Sequence, residues 1–161
     1  MGEDFSARLD GDPPSSECGV AGSAAVGRPR VLVVDDHRGM RRQIAALLHE
    51  ILPGGTVEAV GGVREAVAAA ADRACDLFLI DVQLPDGNGI RLGARLRALG
   101  HDAPIVFVAL VDTPAQRAAI RRIPGSDFVG KHELAVCLPP AVRRGLEGIE
   151  ERCRRRGKED A

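Results

Sequence analysis

Short apolar runs that end in charged residues constrain the fold of this chain more than any other feature. Residues 31–34 read VLVV and are followed by Asp35 and Asp36, while residues 77–80 read LFLI and are followed by Asp81. Unbroken apolar runs of this length are typical of strands covered on both faces of a parallel sheet. The chain is therefore predicted to contain a buried parallel sheet with carboxylates at its strand ends.

Segments with helical periodicity separate the predicted strands. Apolar residues at positions 40, 44, 47, 48 and 51 share one helix face, and a Pro-Gly-Gly sequence ends that helix. The predicted strands cover residues 31–34, 56–60, 77–80, 105–110 and 128–129, and the predicted helices cover residues 40–51, 63–74, 92–99, 113–123 and the segment after 131. Strict alternation of five strands and five helices predicts an α/β fold with a five-stranded, parallel, doubly wound sheet.

Two local signals concern the ends of helices. Thr113 is suited to cap the fourth helix, with Pro114 at its first position and Gln116 closing a capping box. Pro139 and Pro140 predict a break or restart in the last helix, because proline lacks an N–H and disfavours helical geometry at the preceding residue.

The composition divides the chain into three predicted parts. Residues 1–28 are rich in Gly, Pro and Ser without periodic apolar positions, which predicts a disordered leader. Residues 29–149 form the predicted domain, and residues 150–161 form a charged tail of mixed sign. No apolar run approaches the ~20 residues of a membrane span, and the acidic N-terminus is unlike a secretion signal. We therefore expect a soluble, cytoplasmic protein.

Charge and cysteine content exclude several classes of function. With 22 basic and 23 acidic side chains the formal net charge is −1, which does not indicate a dedicated nucleic-acid binder. The four cysteines lack zinc-site spacing, so reduced thiols are favoured over a metal site or a disulfide framework. Only two of the basic residues are lysines, Lys131 and Lys158, and Lys131 alone lies in the predicted domain. Its retention in an arginine-rich chain favours a specific role.

The predicted topology gathers polar side chains at one edge of the sheet. Asp35 and Asp36 follow the first strand, Asp81 follows the third and Lys131 follows the fifth, and ligands of such sheets bind beyond the carboxyl ends of the strands. Clustered carboxylates require a cation or a shared proton, and hard oxygen ligands suit Mg²⁺ or Mn²⁺. Asp81 could then act as a nucleophile, with Lys131 contacting a phosphoryl oxygen or the Asp81 carboxylate. These residues indicate a phosphoryl-accepting site.

The sequences DDH at 35–37 and DVQLPDGNG at 81–89, together with Lys131, resemble the receiver domain of bacterial two-component response regulators. The interval from Asp36 to Asp81 is 45 residues and that from Asp81 to Lys131 is 50, and both are similar to the separations of that family. The resemblance covers about residues 30–149 and implies the flavodoxin-like (βα)5 receiver fold.

The resemblance also implies roles for individual residues. Asp81 would accept a phosphoryl group from a histidine of a sensor kinase or a phosphotransfer protein. Asp36 would bind Mg²⁺ directly, Asp35 would bind it directly or through water, and the backbone carbonyl of Gln83 would complete the protein ligands. Lys131 would contact the phosphoryl group. The protein would then be a signalling receiver rather than an enzyme, with its own site contributing to phosphoryl transfer and autodephosphorylation.

The loop after Asp81 is expected to owe its shape to turn chemistry. Gly87 and Gly89 are expected to permit backbone angles that other residues resist, and Asp86 is assigned to the turn rather than to the metal site.

One position departs from the family pattern. The family usually places Thr or Ser at the end of the fourth strand, where its hydroxyl bonds the phosphoryl group, but the register here gives Ala109 followed by the bulky Leu110. Phe128 occupies the place of the family's switch aromatic. The missing hydroxyl supports an alternative in which the chain is an atypical receiver, acting as a phosphorylation-independent interaction module.

Too few residues follow residue 146 for a DNA-binding or enzymatic output domain, so a stand-alone receiver that signals through an unknown protein partner is expected. A basic face between the fourth strand and the fifth helix is the expected contact surface and a candidate homodimer interface; its residues are Arg117, Arg121, Arg122, Arg143 and Arg144. A haloacid-dehalogenase-type phosphatase is disfavoured, because Gln83 stands where that family has its second aspartate.

Overall fold

The computed structural model describes the backbone of residues 28–159 and the side chains of residues 28–148. Almost all of the predicted leader therefore lies outside the described residues. The strands are β1 (Arg30–Val34), β2 (Thr56–Val60), β3 (Leu77–Asp81), β4 (Gln83–Leu84), β5 (Gly87–Asn88), β6 (Ile105–Ala109) and β7 (Ser126–Gly130). The helices are α1 (Arg38–Ile51), α2 (Val63–Asp72), α3 (Gly89–Ala98), α4 (Pro114–Arg121) and α5 (Leu134–Glu159), with a 3₁₀ turn at Lys131–Glu133.

The main sheet contains five parallel strands in the order β2-β1-β3-β6-β7. The predicted five-stranded, doubly wound, flavodoxin-like sheet is confirmed. β4 and β5 form a separate two-stranded antiparallel hairpin directly after β3. The order of the strands reverses between β1 and β3, and this is the place where parallel sheets of this kind open a binding crevice.

Two apolar clusters cover the two faces of the sheet. Helices α2, α3 and α4 pack on one face and contribute Ala66, Leu92 and Ile120, among others, to the first cluster. Helices α1 and α5 pack on the other face and contribute Ile44 and Leu138 to the second. Alternate residues of each central strand enter opposite clusters, which explains why these strands read as unbroken apolar runs.

The prediction of a break at Pro139 and Pro140 is wrong, because α5 continues through both residues. Each proline removes one helical hydrogen bond, to the carbonyl four residues earlier. Those carbonyls belong to Ala135 and Val136, both exposed, so water can solvate them. Burial of Leu138 and of the next turn against the sheet holds the helix together across the two prolines.

At the start of α4, the predicted roles of Thr113 and Pro114 are confirmed, whereas the predicted capping box is wrong. Thr113 Oγ1 accepts a hydrogen bond from the Gln116 N–H at 3.2 Å, and Pro114 occupies the first turn. The reciprocal bond of a capping box is not made, because the Gln116 Oε1 atom is buried and has no hydrogen-bond partner among the described residues. The side chain of Gln116 is therefore not used as a cap.

No helix in the described part of the chain has the length and hydrophobicity needed to cross a membrane.

Candidate functional site

The carboxyl ends of β1, β3 and β7 bring four predicted site residues together. β1 and β3 are neighbours in register, with Val34 opposite Ile80, so that Asp35 and Asp81 follow side by side. Lys131 begins the 3₁₀ turn directly after β7. Lys131 contacts Asp35 and Asp81, and Asp36 offers a carboxylate oxygen within 4.8 Å of those of both aspartates.

Lys131 joins two buried carboxylates. Its Nζ atom donates a hydrogen bond to Asp81 Oδ2 at 2.8 Å and lies 2.9 Å from Asp35 Oδ2. Asp35 and Asp81 are only 1% and 5% exposed, respectively. Because buried carboxylates without a cation are strongly disfavoured, the lysine ammonium is the charge that allows both to be buried.

Asp35, Asp36 and Asp81 each offer an oxygen within 4.8 Å of the others, an arrangement that can hold a metal ion. Asp36 is exposed at the mouth of the site. Asp35 Oδ2 is buried and has no partner of full hydrogen-bond geometry among the described residues, apart from its ion pair with Lys131. Several hard oxygen donors with one side open to solvent fit Mg²⁺ or Mn²⁺.

The backbone around Asp35 is fixed by local hydrogen bonds. Asp35 Oδ1 accepts from the His37 N–H at 2.8 Å, and the Asp35 carbonyl accepts from Arg41 Nη1 at 2.7 Å. One carboxylate oxygen of Asp35 is thus used by the chain itself, while the other faces Lys131. Asp36, in contrast, is left exposed at the entrance.

The ionisation of Asp81 and Lys131 is set by burial and by their contact. Burial raises the pKa of Asp81 above the ordinary 3.8, although hydrogen bonds from Lys131 and the Gln83 N–H act in the opposite direction. Burial alone would lower the pKa of Lys131, but its contacts with Asp81 and Asp35 outweigh burial and raise that pKa above 10.5. Asp81 is thus a more basic carboxylate beside a firmly protonated ammonium.

A cavity of about 340 Å³ opens above Asp81. Its lining comprises Asp36, His37, Asp81, Gln83, Leu84, Pro85, Ala109, Leu110, Val111, Gln116 and Lys131. The methyl group of Ala109 supplies no hydrogen-bond donor there. Beside it, Leu110 and Val111 are 58% and 57% exposed, which is unusual for large apolar side chains.

Phe128, the predicted switch aromatic, is half-buried on β7. The guanidinium of Arg117 lies 5.0 Å from the centre of its ring, within the range of a cation–π contact. Arg117 is itself fixed by two hydrogen bonds of 2.6 Å to Asp112. Phe128 therefore packs against the apolar cluster on the α2–α4 face of the sheet and also contacts the guanidinium of Arg117.

The β4–β5 hairpin holds the segment after Asp81 in place. The Gln83 N–H donates to Asp81 Oδ1 at 3.1 Å, and the Gly89 N–H donates to the Val82 carbonyl at 2.8 Å. The expectation that Gly87 and Gly89 adopt unusual backbone angles is wrong, since neither has a positive φ. The need for glycine is steric at residue 89, where a Cβ atom would lie 1.9 Å from the Asp81 carbonyl oxygen.

Asp86 has a role beyond the turn to which the sequence assigned it. Its two carboxylate oxygens accept hydrogen bonds from the N–H groups of Val63 and Arg64, at 2.8 and 3.1 Å. These bonds lower the pKa of Asp86. The residue preceding α2 is Gly62, which offers no side-chain cap, and a Cβ there would lie 2.7 Å from Asp86 Oδ1. A glycine before a helix that lacks its own cap was the sequence signal for this contact.

All five arginines of the predicted basic face are exposed. The face carries less free positive charge than the sequence suggests, because Arg117 pairs with Asp112 and Arg144 pairs with Asp127 at 2.7 Å. Its use as a contact surface or homodimer interface stays a prediction.

The five-stranded parallel sheet and the acidic, lysine-bearing edge define a receiver-type domain. The response regulator receiver domain profile matches residues 31–139, and the chain belongs to this family of two-component systems.

Named relatives and solved structures agree with the family. Response regulator MprA of Mycobacterium bovis (strain BCG / Pasteur 1173P2) is 32% identical over 133 residues, which cover 82% of this chain and 54% of the relative. Response regulator MprA of Mycobacterium ulcerans (strain Agy99) is 34% identical over 120 residues, covering 71% and 50%. The chain spans about half the length of these curated relatives.

Among solved structures, the signal receiver domain of a modulated diguanylate cyclase from Desulfovibrio desulfuricans G20 has a TM-score of 0.65 and 26% identity, covering 75% of this chain and 95% of that one. The signal receiver domain of a Luxo repressor protein from Vibrio parahaemolyticus has a TM-score of 0.69 at 19% identity, covering 74% of this chain and 91% of that one, and shows the fold alone.

Proposed function

We propose that Asp81 accepts a phosphoryl group from a phosphohistidine donor and that the phosphorylated domain signals through protein contacts. The observation that carries the proposal is the Asp81 carboxylate, 5% exposed at the floor of an open cavity and bonded to Lys131 Nζ at 2.8 Å. A sensor histidine kinase or a histidine phosphotransfer protein would be the donor, and the cytoplasm would be the place of the reaction.

The transfer step uses the Asp81 carboxylate as nucleophile. An Asp81 oxygen attacks phosphorus, a P–O bond forms, and the P–N bond to histidine breaks. The imidazole nitrogen keeps the electron pair of that bond and takes a proton. Lys131 then contacts a phosphoryl oxygen with its ammonium and retains Asp35 as its buried partner.

Autodephosphorylation reverses the modification without the donor. A water molecule attacks phosphorus and the P–O bond to Asp81 breaks, which returns the carboxylate and releases inorganic phosphate and a proton.

Asp35, Asp36 and the backbone carbonyl of Gln83 would hold a magnesium ion, with Asp81 as a further ligand. The ion would neutralise charge on the phosphoryl oxygens. The other residues act without it: Lys131 orients Asp81, and the Gln83 N–H fixes the second carboxylate oxygen.

Incubation with acetyl phosphate and Mg²⁺, followed by intact-protein mass spectrometry, tests the proposal. We expect one added phosphoryl group, lost when EDTA is present and absent in Asp81→Asn. Asp72→Asn is the matched control, since it removes an exposed carboxylate at the end of α2 and should be modified like the wild type. No modification of the wild type, or retained modification of Asp81→Asn, would contradict the proposal.

A phosphorylation-independent interaction module is the second candidate function. It is favoured by the missing donor at Ala109 and by the exposed apolar side chains of Leu110 and Val111 beside the cavity. Amide NMR spectra with and without beryllofluoride, a phosphoryl mimic, distinguish the two candidates. Shifts that reach Phe128 favour the phosphorylation switch, whereas shifts confined to the cavity favour the static module.

A further inference from the structure

Among the described residues that line the cavity, Gln116 carries a buried side-chain atom with an unmet hydrogen bond. Gln116 lies in the first turn of α4, where its backbone N–H is already capped by Thr113. Its Oε1 atom is buried and has no hydrogen-bond partner among the described residues, although the residue lines the same cavity as Asp81, Ala109 and Lys131. A buried polar atom without a partner is unfavourable and calls for an explanation.

A side-chain amide carries the donor that a phosphoryl group requires. Phosphoryl oxygens only accept hydrogen bonds, and those to charged acceptors are the strong ones. Rotation about the last side-chain bond of Gln116 exchanges its amide oxygen and nitrogen in the same place, so the side chain can present an NH₂ donor there.

The other side chains of the cavity are less suited to this contact. Lys131 already contacts one phosphoryl oxygen in the proposed phosphorylated form and keeps its ion pair with Asp35, so it does not replace the donor that Ala109 lacks. His37 and Gln83 also line the cavity and carry donors, but both are exposed to solvent. Ala109, at the end of β6, has no donor to offer. Gln116 is half-buried, and its Oε1 atom is a buried side-chain atom with unused hydrogen-bonding capacity among the described residues that line this cavity.

We propose that Gln116 donates a hydrogen bond from its side-chain amide to the phosphoryl group on Asp81, supplying from α4 the donor that Ala109 lacks on β6. This inference rests on the proposed function, since it concerns the phosphorylated form of Asp81. The proposed hydrogen bond also links the site to α4, because Gln116 lies in the same helical turn as Arg117, whose guanidinium contacts Phe128.

Calorimetric titration with beryllofluoride in the presence of Mg²⁺ tests the assignment. Gln116→Met keeps the length of the side chain and removes the donor, and we expect about tenfold weaker binding, the effect of one hydrogen bond to a charged group. Gln116→Glu replaces the donor by an anion and should bind more weakly still. Gln43→Met makes the same chemical change at an exposed position of α1 and should bind like the wild type.

A rescue experiment separates a phosphoryl contact from a merely structural effect. Adding Ala109→Thr to Gln116→Met supplies a hydroxyl from β6 and should recover most of the lost affinity. Unchanged beryllofluoride affinity in Gln116→Met would overturn the inference while leaving the proposed function standing. A wild-type chain that neither binds beryllofluoride nor becomes phosphorylated would overturn both.

Discussion

At the scale of single residues, Lys131 is the centre of the site. It is one of only two lysines in the chain, and its side chain is 7% exposed between Asp35 and Asp81. Its position after β7 and its distance from Asp81 in sequence allowed its contact with the Asp81 carboxylate to be predicted. The sharing of the ammonium between two carboxylates could not be predicted, because it depends on the packing of three strand ends.

We expect Lys131→Met to destabilise the metal-free protein at neutral pH. Removing one partner of a buried ion pair leaves uncompensated buried charge, which costs about 3 kcal/mol of the free energy of unfolding. Urea unfolding measures the loss. Mg²⁺ should restore more stability to this variant than to the wild type, because the ion replaces the missing positive charge beside Asp35 and Asp81.

Arg95→Met is the control for Lys131→Met, since it removes an exposed positive charge from α3. Its unfolding free energy should stay close to that of the wild type. Equal stability of Lys131→Met and Arg95→Met would contradict the described role of Lys131.

At the scale of elements, the β4–β5 hairpin connects the site to the rest of the fold. It bonds Asp81 through the Gln83 N–H and caps α2 through Asp86. Gly89, the first residue of α3, directly follows the hairpin and approaches the Asp81 carbonyl. The sequence showed a turn here and correctly assigned Asp86 to it. The hydrogen bond from the Val63 N–H to Asp86 joins residues 23 positions apart in sequence. It forms only when the hairpin packs against the start of α2, so a local sequence pattern does not predict it.

We expect Gly89→Ala to disturb the segment that carries Asp81. The added Cβ would meet the Asp81 carbonyl oxygen at 1.9 Å, and the backbone must move to relieve that overlap. Chemical denaturation should show a loss of about 1–3 kcal/mol, the usual cost of overpacking. Gly39→Ala in α1, where a Cβ would have nothing within 4 Å, should be neutral or stabilising; equal effects of the two substitutions would count against the close approach.

The cap that Asp86 places on α2 should depend on pH. Hydrogen bonds from Val63 and Arg64 lower its pKa from the ordinary 3.8, so the native state binds this proton less readily than the unfolded state does. The cap therefore stabilises the fold fully above pH 3.8, and the stabilisation is lost as pH falls through the lowered native pKa.

Asp86→Ala should lower the midpoint of thermal unfolding at neutral pH, and the difference from the wild type should shrink in acid. Asp86→Asn keeps an acceptor for the helix N–H groups without a titrating carboxyl, so it should lie near the wild type at neutral pH. A difference between Asp86→Ala and the wild type that is independent of pH would contradict an ionised cap.

At the scale of the whole molecule, the topology could be predicted because the unbroken apolar runs indicate strands that are buried on both faces of a parallel sheet. Strands buried on both faces require helices on both sides, and the alternation of elements then leaves few arrangements. The same reasoning placed the carboxylates and Lys131 at one edge. It failed at Pro139 and Pro140, where burial of α5 against the sheet outweighs two missing hydrogen bonds.

The side-chain partners of Gln116 and of two arginines were not predicted from the sequence. Gln116 was interpreted as half of a capping box, yet its Oε1 atom is buried without a hydrogen-bond partner among the described residues, and the residue lines the cavity. The arginines of α4 and α5 were interpreted as a basic face, yet Arg117 and Arg144 find carboxylates on neighbouring segments. Both differences arise because helical spacing reports which face a residue occupies and not which partner it meets.

The central claim is that Asp81 carries the phosphoryl group, and chemical trapping of the acyl phosphate tests it most directly. Borohydride reduces a phosphorylated aspartate to homoserine, which peptide mass spectrometry locates by position. After treatment with acetyl phosphate and Mg²⁺, we expect homoserine at position 81 and unmodified aspartate at positions 35 and 36. Homoserine at either of those positions, or none in the peptide that contains residue 81, would contradict the claim.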